Sequence, residues 1–278
     1  MLGNEPMNSR SSMSAFRALL TVFSFAAVAS LTACSGESDT ADDDDESGGS
    51  GSGGSTGSGG TGGVAPECEM QFGPTNPAAF IDDMEDGDPL IATVAGRNGS
   101  WWVTSDGTAE GTITPVSGAA PPPERILGKR CESEYGMRIT GQGFTGWGAN
   151  ISITFAYDAG FEPIDVSAYR GVMFWAKVGE THRSPVRIQF MDSNTHPDGG
   201  VCDATPGSAE ECYNGWGIDV VPISTAWRLY QIDFSTLSQR AFGYRAEAFD
   251  PTAVFILDWA VMQNTVFDLW IDDVWFYE

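Results

Sequence analysis

The sequence predicts an all-β fold, two sheets packed as a sandwich, and three observations carry that prediction. Short segments alternate apolar and polar residues, as in Val186-Arg187-Ile188-Gln189-Phe190, which sets one side of each against a core and turns the other outward. Turn-forming clusters separate them, among them Ser105-Asp106-Gly107, Pro197-Asp198-Gly199-Gly200 and Phe249-Asp250-Pro251. No twelve-residue window keeps a helical period, and residues 267–277 form one long aromatic-rich segment.

Taken in order, residues 1–33 read as a secretory signal. Arg10 and Arg17 give it a positive start, and residues 18–33 then run sixteen positions without a charge. That is short for a membrane span and of the right order for the apolar region of a signal peptide. Leu31-Thr32-Ala33-Cys34 resembles the lipobox of bacterial lipoproteins, in which the cysteine is lipidated and becomes the mature N-terminus. An ordinary signal peptide with a chance cysteine is the alternative. Met7 or Met13 also fits as the start, and Ser35 after the cysteine fits outer-membrane sorting by the enterobacterial rule.

Residues 34–65 hold that cysteine and a linker. Asp42-Asp43-Asp44-Asp45-Glu46 opens it, and residues 47–63 contain ten Gly, five Ser and two Thr. Such a stretch has no apolar surface to offset chain entropy and is expected to be disordered. Its r.m.s. span is roughly 30 Å, enough to hold a domain clear of a lipid surface.

Residues 66–278 form the folded unit, carrying 29 of the 32 aromatic residues. Ten strands are expected, at 80–85, 100–104, 136–140, 150–155, 171–178, 186–190, 217–221, 230–234, 253–261 and 267–277. A single helical turn is expected at 235–240. The chain's net charge of −24 divides into +1 in the signal, −7 in the linker and −18 in this domain. So acidic a chain, with only Lys129 and Lys177 as lysines, excludes nucleic acid as a partner, since phosphate contacts need clustered Lys and Arg. Two histidines, His182 and His196, argue against a multi-histidine metal site.

Four cysteines follow Cys34, an even number that suits disulfides in an exported chain. Cys202 and Cys212 bracket a polar loop and are paired; Cys68 with Cys131 follows. A four-thiolate zinc site lacks any Cys-x-x-Cys pair.

Several segments carry a family resemblance: Phe80-Ile81-Asp82-Asp83-Met84-Glu85-Asp86-Gly87-Asp88, Trp101-Trp102-Val103-Thr104-Ser105-Asp106, residues 166–177, Trp227-Arg228-Leu229-Tyr230-Gln231-Ile232, and Phe267-Asp268-Leu269-Trp270-Ile271-Asp272-Asp273-Val274-Trp275-Phe276. Over most of residues 78–278 the chain resembles galactose-binding-type jelly rolls, in particular family 11 carbohydrate-binding modules and the complex I intermediate-associated protein 30 family. The resemblance implies a jelly-roll β-sandwich whose first and last strands are neighbours. It leaves the ligand open, because such folds host many functions.

Neighbouring end strands would bring Asp82, Asp83, Glu85, Asp272 and Asp273 together, with Asp106 close by. Crowded carboxylates repel unless neutralised, and hard oxygen ligands suit calcium. A structural Ca²⁺ held by Asp83, Glu85, Asp106 and Asp272 is therefore expected; solvated or Arg-paired acids at a sheet edge are the alternative.

Alternation also nominates a binding face. Trp175, Arg187, Gln189 and Asp192 are expected on one sheet face, with Tyr213 and Trp216 on an adjoining loop. A flat aromatic ring beside amide, carboxylate and guanidinium groups suits a sugar. The alternative for Trp175 is the core; Trp147 is left between loop and site, and Trp270 and Trp275 are expected to be structural. No nucleophile motif is present and no catalytic residue is assigned. The expected function is a lipid-anchored, non-catalytic protein that binds carbohydrate at the cell surface or outer membrane, touching the membrane through its anchor only. The alternatives are an adaptor lipoprotein that meets an envelope protein partner with the same face, and a polysaccharide hydrolase.

Overall fold

The computed structural model of the protein describes residues 73–278 apart from Val221, all within one compact unit, Gly59–Glu278. The expected signal, linker, Cys34, Cys68 and the boundary at residue 66 lie outside the described residues.

The described chain is built from strands: β1 (Phe80–Asp82), β2 (Ser100–Ser105), β3 (Thr112–Thr114), β4 (Glu124–Arg130), β5 (Ser133–Gln142), β6 (Ala149–Thr154), β7 (Ala156–Tyr157), β8 (Phe161–Glu162), β9 (Gly171–Val178), β10 (Val186–Asp192), β11 (Trp216–Val220), β12 (Arg228–Asp233), β13 (Val254–Val261) and β14 (Phe267–Tyr277). All ten expected strands are present. The expectation missed β3, β4, β7 and β8, which are short, exposed or Gly-interrupted and so carry little alternation. The helical turn expected at 235–240 is a 3₁₀ turn at Phe234–Thr236, ended by Leu237 in extended conformation.

Two antiparallel sheets form the jelly-roll sandwich. The first runs β12-β9-β14-β5-β3, with β1 also on β14 and β4 also on β5; the second runs β11-β10-β13-β6-β2. The pairing of β1 with β14 is the adjacency that the resemblance implied. Between the sheets lies an aromatic core. Trp101 stacks on Trp259 at 5.3 Å, and Phe174 from the first sheet meets Trp259 edge-on at 5.3 Å.

β14 shows how the sequence sets its own register. Phe267, Leu269 and Ile271 point inward, and so do Val274 and Phe276, one residue out of phase. The register slips between Asp272 and Val274, and Asp273 takes a left-handed φ of 42°. This bulge adds one residue to the strand. It keeps Asp273, like Asp272, off the core side and returns the following apolar residues to the core. β1 stops at Asp82 rather than 85 because Met84 is left-handed, with φ 62°, and Asp82 Oδ1 accepts the Met84 N–H at 3.0 Å.

The Cys202–Cys212 disulfide is present. Cys131 is also disulfide-bonded; its expected partner, Cys68, lies outside the described residues.

Candidate functional site

The outward face of the second sheet is ordered in two rows that cross all five strands. One row is Asp219, Arg187, Ala260, Asn150 and Thr104; the other is Gly217, Gln189, Asp258, Ser152 and Trp102. Each alternates with a core residue on its own strand, so the same periodicity that builds the core delivers these side chains to one surface. Five strands at about 4.8 Å spacing make the face roughly 19 Å wide.

The polar groups are linked to one another. Arg187 Nε donates to Gln189 Oε1 at 3.2 Å, and Gln189 Nε2 donates to Asp258 Oδ2 at 3.1 Å. Asn150 Nδ2 donates to Ser152 Oγ at 3.3 Å, and Thr104 Oγ1 donates to Asn150 Oδ1. Arg187 also reaches Asp219 Oδ1 at 3.5 Å and the Ser238 carbonyl. Asp258 is 1% exposed; burial pushes its carboxyl above the usual range, against hydrogen bonds from Ser152, Gln189 and Asn150. Burial likewise draws Arg187 down. Gly217 at the edge makes this packing possible, because a Cβ there would stand 2.6 Å from Gln189 Cβ and 3.0 Å from Arg187 Nε.

Walls rise at both ends of the face. At one, Trp102 meets Phe161 at 5.8 Å; Phe161 meets Tyr157 at 5.6 Å and His196 at 5.0 Å. His196 in turn stacks on Phe255 at 4.5 Å, and its burial lowers its pKa. At the other end, Arg240 Nη2 donates to Asp219 Oδ1 at 2.8 Å and lies 3.7 Å from Met262 Sδ. Trp147, in the loop that enters β6, is 51% exposed. Asn214 fixes the segment bearing Arg240, accepting the Arg240 N–H at 2.9 Å and donating to the Arg240 and Phe242 carbonyls.

Of the six expected ligand-binding residues, only Arg187 and Gln189 line this floor. Trp175 stands on the outer face of the opposite sheet, because β9 and β10 belong to different sheets, and it is 1% exposed. Trp216 falls on the inward phase of β11 and packs against the core. Asp192 is fully buried and shapes a turn, accepting from Asn194 N, Thr195 Oγ1 and Asp250 N. Tyr213 is exposed on the Cys202–Cys212 side, with its N–H on the Thr195 carbonyl. The expectation missed Asp258, Asn150, Ser152 and Trp102. Asp258 had a signal: it is the only polar residue in the eight of β13.

Of the four expected calcium ligands, Glu85 and Asp272 meet at Ser133 Oγ, accepting from it at 3.1 and 2.8 Å, whereas Asp106 stands apart. Among the described residues no group of three or more His, Cys, Asp or Glu side chains could hold a metal. Asp106 lies at the end of the second sheet; the Thr108 hydroxyl and the N–H groups of Thr108, Gly146 and Gly148 donate to its carboxylate and, against burial, hold its pKa below the usual range. Glu85 accepts from Glu134 N at 2.8 Å and Tyr135 N at 3.0 Å. Asp83 is near enough to raise the pKa of Asp273. Asp272 is fully buried against Arg130 Nε at 2.7 Å and Ser133 Oγ at 2.8 Å, and Arg130 Nη2 also reaches Asp273. The two acids of the last strand are thus paired with a guanidinium.

No protein-family model and no curated protein matches the chain. Among the solved structures similar at low identity are two carbohydrate-binding modules. The family 11 carbohydrate-binding module from Clostridium thermocellum in complex with a beta-1,3-1,4-mixed-linked tetrasaccharide is 13% identical; the match covers 72% of this chain and 94% of that one, with a TM-score of 0.45. The family 30 carbohydrate-binding module of a cellulosomal cellulase of the same organism is 19% identical; that match covers 64% of this chain and 91% of the module, with a TM-score of 0.42. Likeness at this level carries no conclusion about ligand or activity, and the two-sheet jelly roll rests on the strand order of the chain itself.

Proposed function

We propose that the protein binds a neutral polysaccharide on the outward face of its second sheet and does not cleave it. The observation that carries this reading is the linked row in which the buried Arg187, Asp258 and Ser152 hold the partly exposed amides of Gln189 and Asn150 in place, set between Trp102 and the exposed Trp147. Pre-oriented amides suit sugar hydroxyls, and indoles suit the apolar faces of sugar rings. A face about 19 Å wide suits an extended chain of sugars. The −18 charge of the domain disfavours polyanionic glycans by long-range repulsion. Asp258 is committed to its neighbours in the floor, which suits binding better than acid–base chemistry.

The same proposal keeps residues 1–65 as address and tether, with Cys34 lipidated and the domain carried at the cell envelope. Cys34→Ser should then release the protein from the membrane fraction. Affinity electrophoresis through gels containing neutral polysaccharides tests the ligand. Retardation in at least one neutral glycan and none in an acidic one is the expected result. No retardation in any glycan, with stable co-purification of one envelope protein, would favour the adaptor reading.

A further inference from the structure

The first sheet carries a groove on its outer face, on the opposite side of the sandwich from the face proposed above. It has a volume of about 340 Å³ and is lined by Thr112, Arg138, Thr140, Gln142, Thr181 and Asp268, with Val266 at its margin. Thr112 pairs with Gln142, and Thr140 stands between Thr114 and Asp268 in register. The hydroxyls and the amide therefore come from adjoining strands at fixed spacing.

Arg138 and Asp268 form a two-point pair, Nε to Oδ1 at 2.9 Å and Nη2 to Oδ2 at 3.0 Å. Asp268 is held from behind as well: its N–H donates to His182 Nδ1 at 3.1 Å, and a Cβ at Gly179 would stand 2.1 Å from its Oδ2. Arg138 also lies over Trp270, 4.8 Å from the ring centroid. Arg138 Nη1 also donates to Glu124 Oε2 at 3.3 Å, so two carboxylates meet the one guanidinium and the groove is not an anion receptor. It offers rigid donors and acceptors, three threonine hydroxyls, one amide and the exposed side chain of Val266. That set matches a neutral polyhydroxylated ligand, and the volume falls within the usual range for small-ligand sites.

We infer that this groove is a second saccharide site, separate from the face of the second sheet. The two sites look outward from opposite sheets, so one straight stretch of polymer cannot occupy both, and a protein filling both joins two chain segments.

The test is the binding stoichiometry of the full-length chain, titrated calorimetrically with neutral tetrasaccharides derived from β-glucan, xylan and mannan. Thr140→Trp fills the groove. Gln142→Ala is a milder change, guarding against misfolding, and should weaken the second site about 2- to 10-fold. Gln189→Ala disables the other face. Two sites in the wild type, with one lost in Thr140→Trp and the other in Gln189→Ala, support the inference. One site that is unchanged in Thr140→Trp and Gln142→Ala overturns it. One site lost in Thr140→Trp but kept in Gln189→Ala upholds the groove and rejects the face. No binding of any tetrasaccharide rejects both.

Discussion

The guanidinium carbon of Arg130 stands 4.7 Å from the centre of the Trp175 ring. The contact belongs to a wider arrangement on the outer face of the first sheet. Arg138, Trp270 and Lys177 lie in register across β5, β14 and β9, and Lys177 Nζ lies 5.3 Å from the Trp270 ring and 5.0 Å from Trp227. Indoles and cations alternate, each cation covering a ring face on which a sugar would otherwise stack. This aromatic cluster is therefore structural, and stacking on sugar rings is assigned to the second sheet.

Trp175→Ala should cost about 3–5 kcal/mol of stability, the usual range for removing a buried tryptophan, while leaving affinity for glycan unchanged. Denaturant unfolding measures the first and affinity electrophoresis the second. Loss of binding in a variant that remains folded would make Trp175 itself a sugar-stacking residue.

Arg130→Met should destabilise by about 3–5 kcal/mol, because it strands Asp272 and Asp273 without a cation. With the guanidinium in place, the melting temperature of the wild type should not change between excess calcium and a chelator. A calcium-dependent rise would restore a metal to the end strands.

Asp82 gives a pH dependence whose sign follows from its burial. Desolvation raises its pKa from 3.8 to about 7, against hydrogen bonds from Met84 N and Trp101 Nε1. Between those values the folded state holds a proton that the unfolded chain has released. The contribution is therefore full below about pH 4 and is lost as pH rises to about 7. From pH 5 to pH 8 this one group removes about 2–3 kcal/mol. Asp272, also raised to about 7 by burial with Arg130 opposing, acts in the same direction. Asp82→Asn should flatten the stability profile across that interval; an unchanged slope would assign it elsewhere.

Replacing Cys202 and Cys212 together by Ser opens a loop whose ends are ten residues apart in sequence. Loop-closure entropy puts the loss at about 2–3 kcal/mol, readable as a lower urea midpoint. Equal midpoints with and without the bond would show that the unfolded chain is not constrained there.

The strand pattern was legible because alternation is a local signal: 171–178 and 267–277 were read to the residue. The bulge at Asp272–Asp273 was visible as a slip in phase between Ile271 and Val274, yet only pairing shows which way each acid points. The grouping of Trp175 with Arg187 failed for a related reason. Alternation tells which side of its own strand a residue takes, whereas assignment of β9 and β10 to opposite sheets depends on long-range pairing. Asp258 was legible as a lone acid in an apolar strand, but its link to Gln189 is a cross-strand contact. Nothing local marked Arg130 as the partner of an acid 142 positions later.

Placement of the ligand on the outward face of the second sheet is open to titration. Titrating a retained neutral oligosaccharide into the wild type, Gln189→Ala, Asp258→Asn and Trp147→Ala tests it most directly, with Trp175→Phe as the control on the opposite sheet. Each face substitution is expected to weaken binding about 3- to 10-fold, with a larger loss for Gln189→Ala and Asp258→Asn combined, while Trp175→Phe binds like the wild type. Wild-type affinity in the combined variant, or loss of affinity in Trp175→Phe alone, would contradict the assignment.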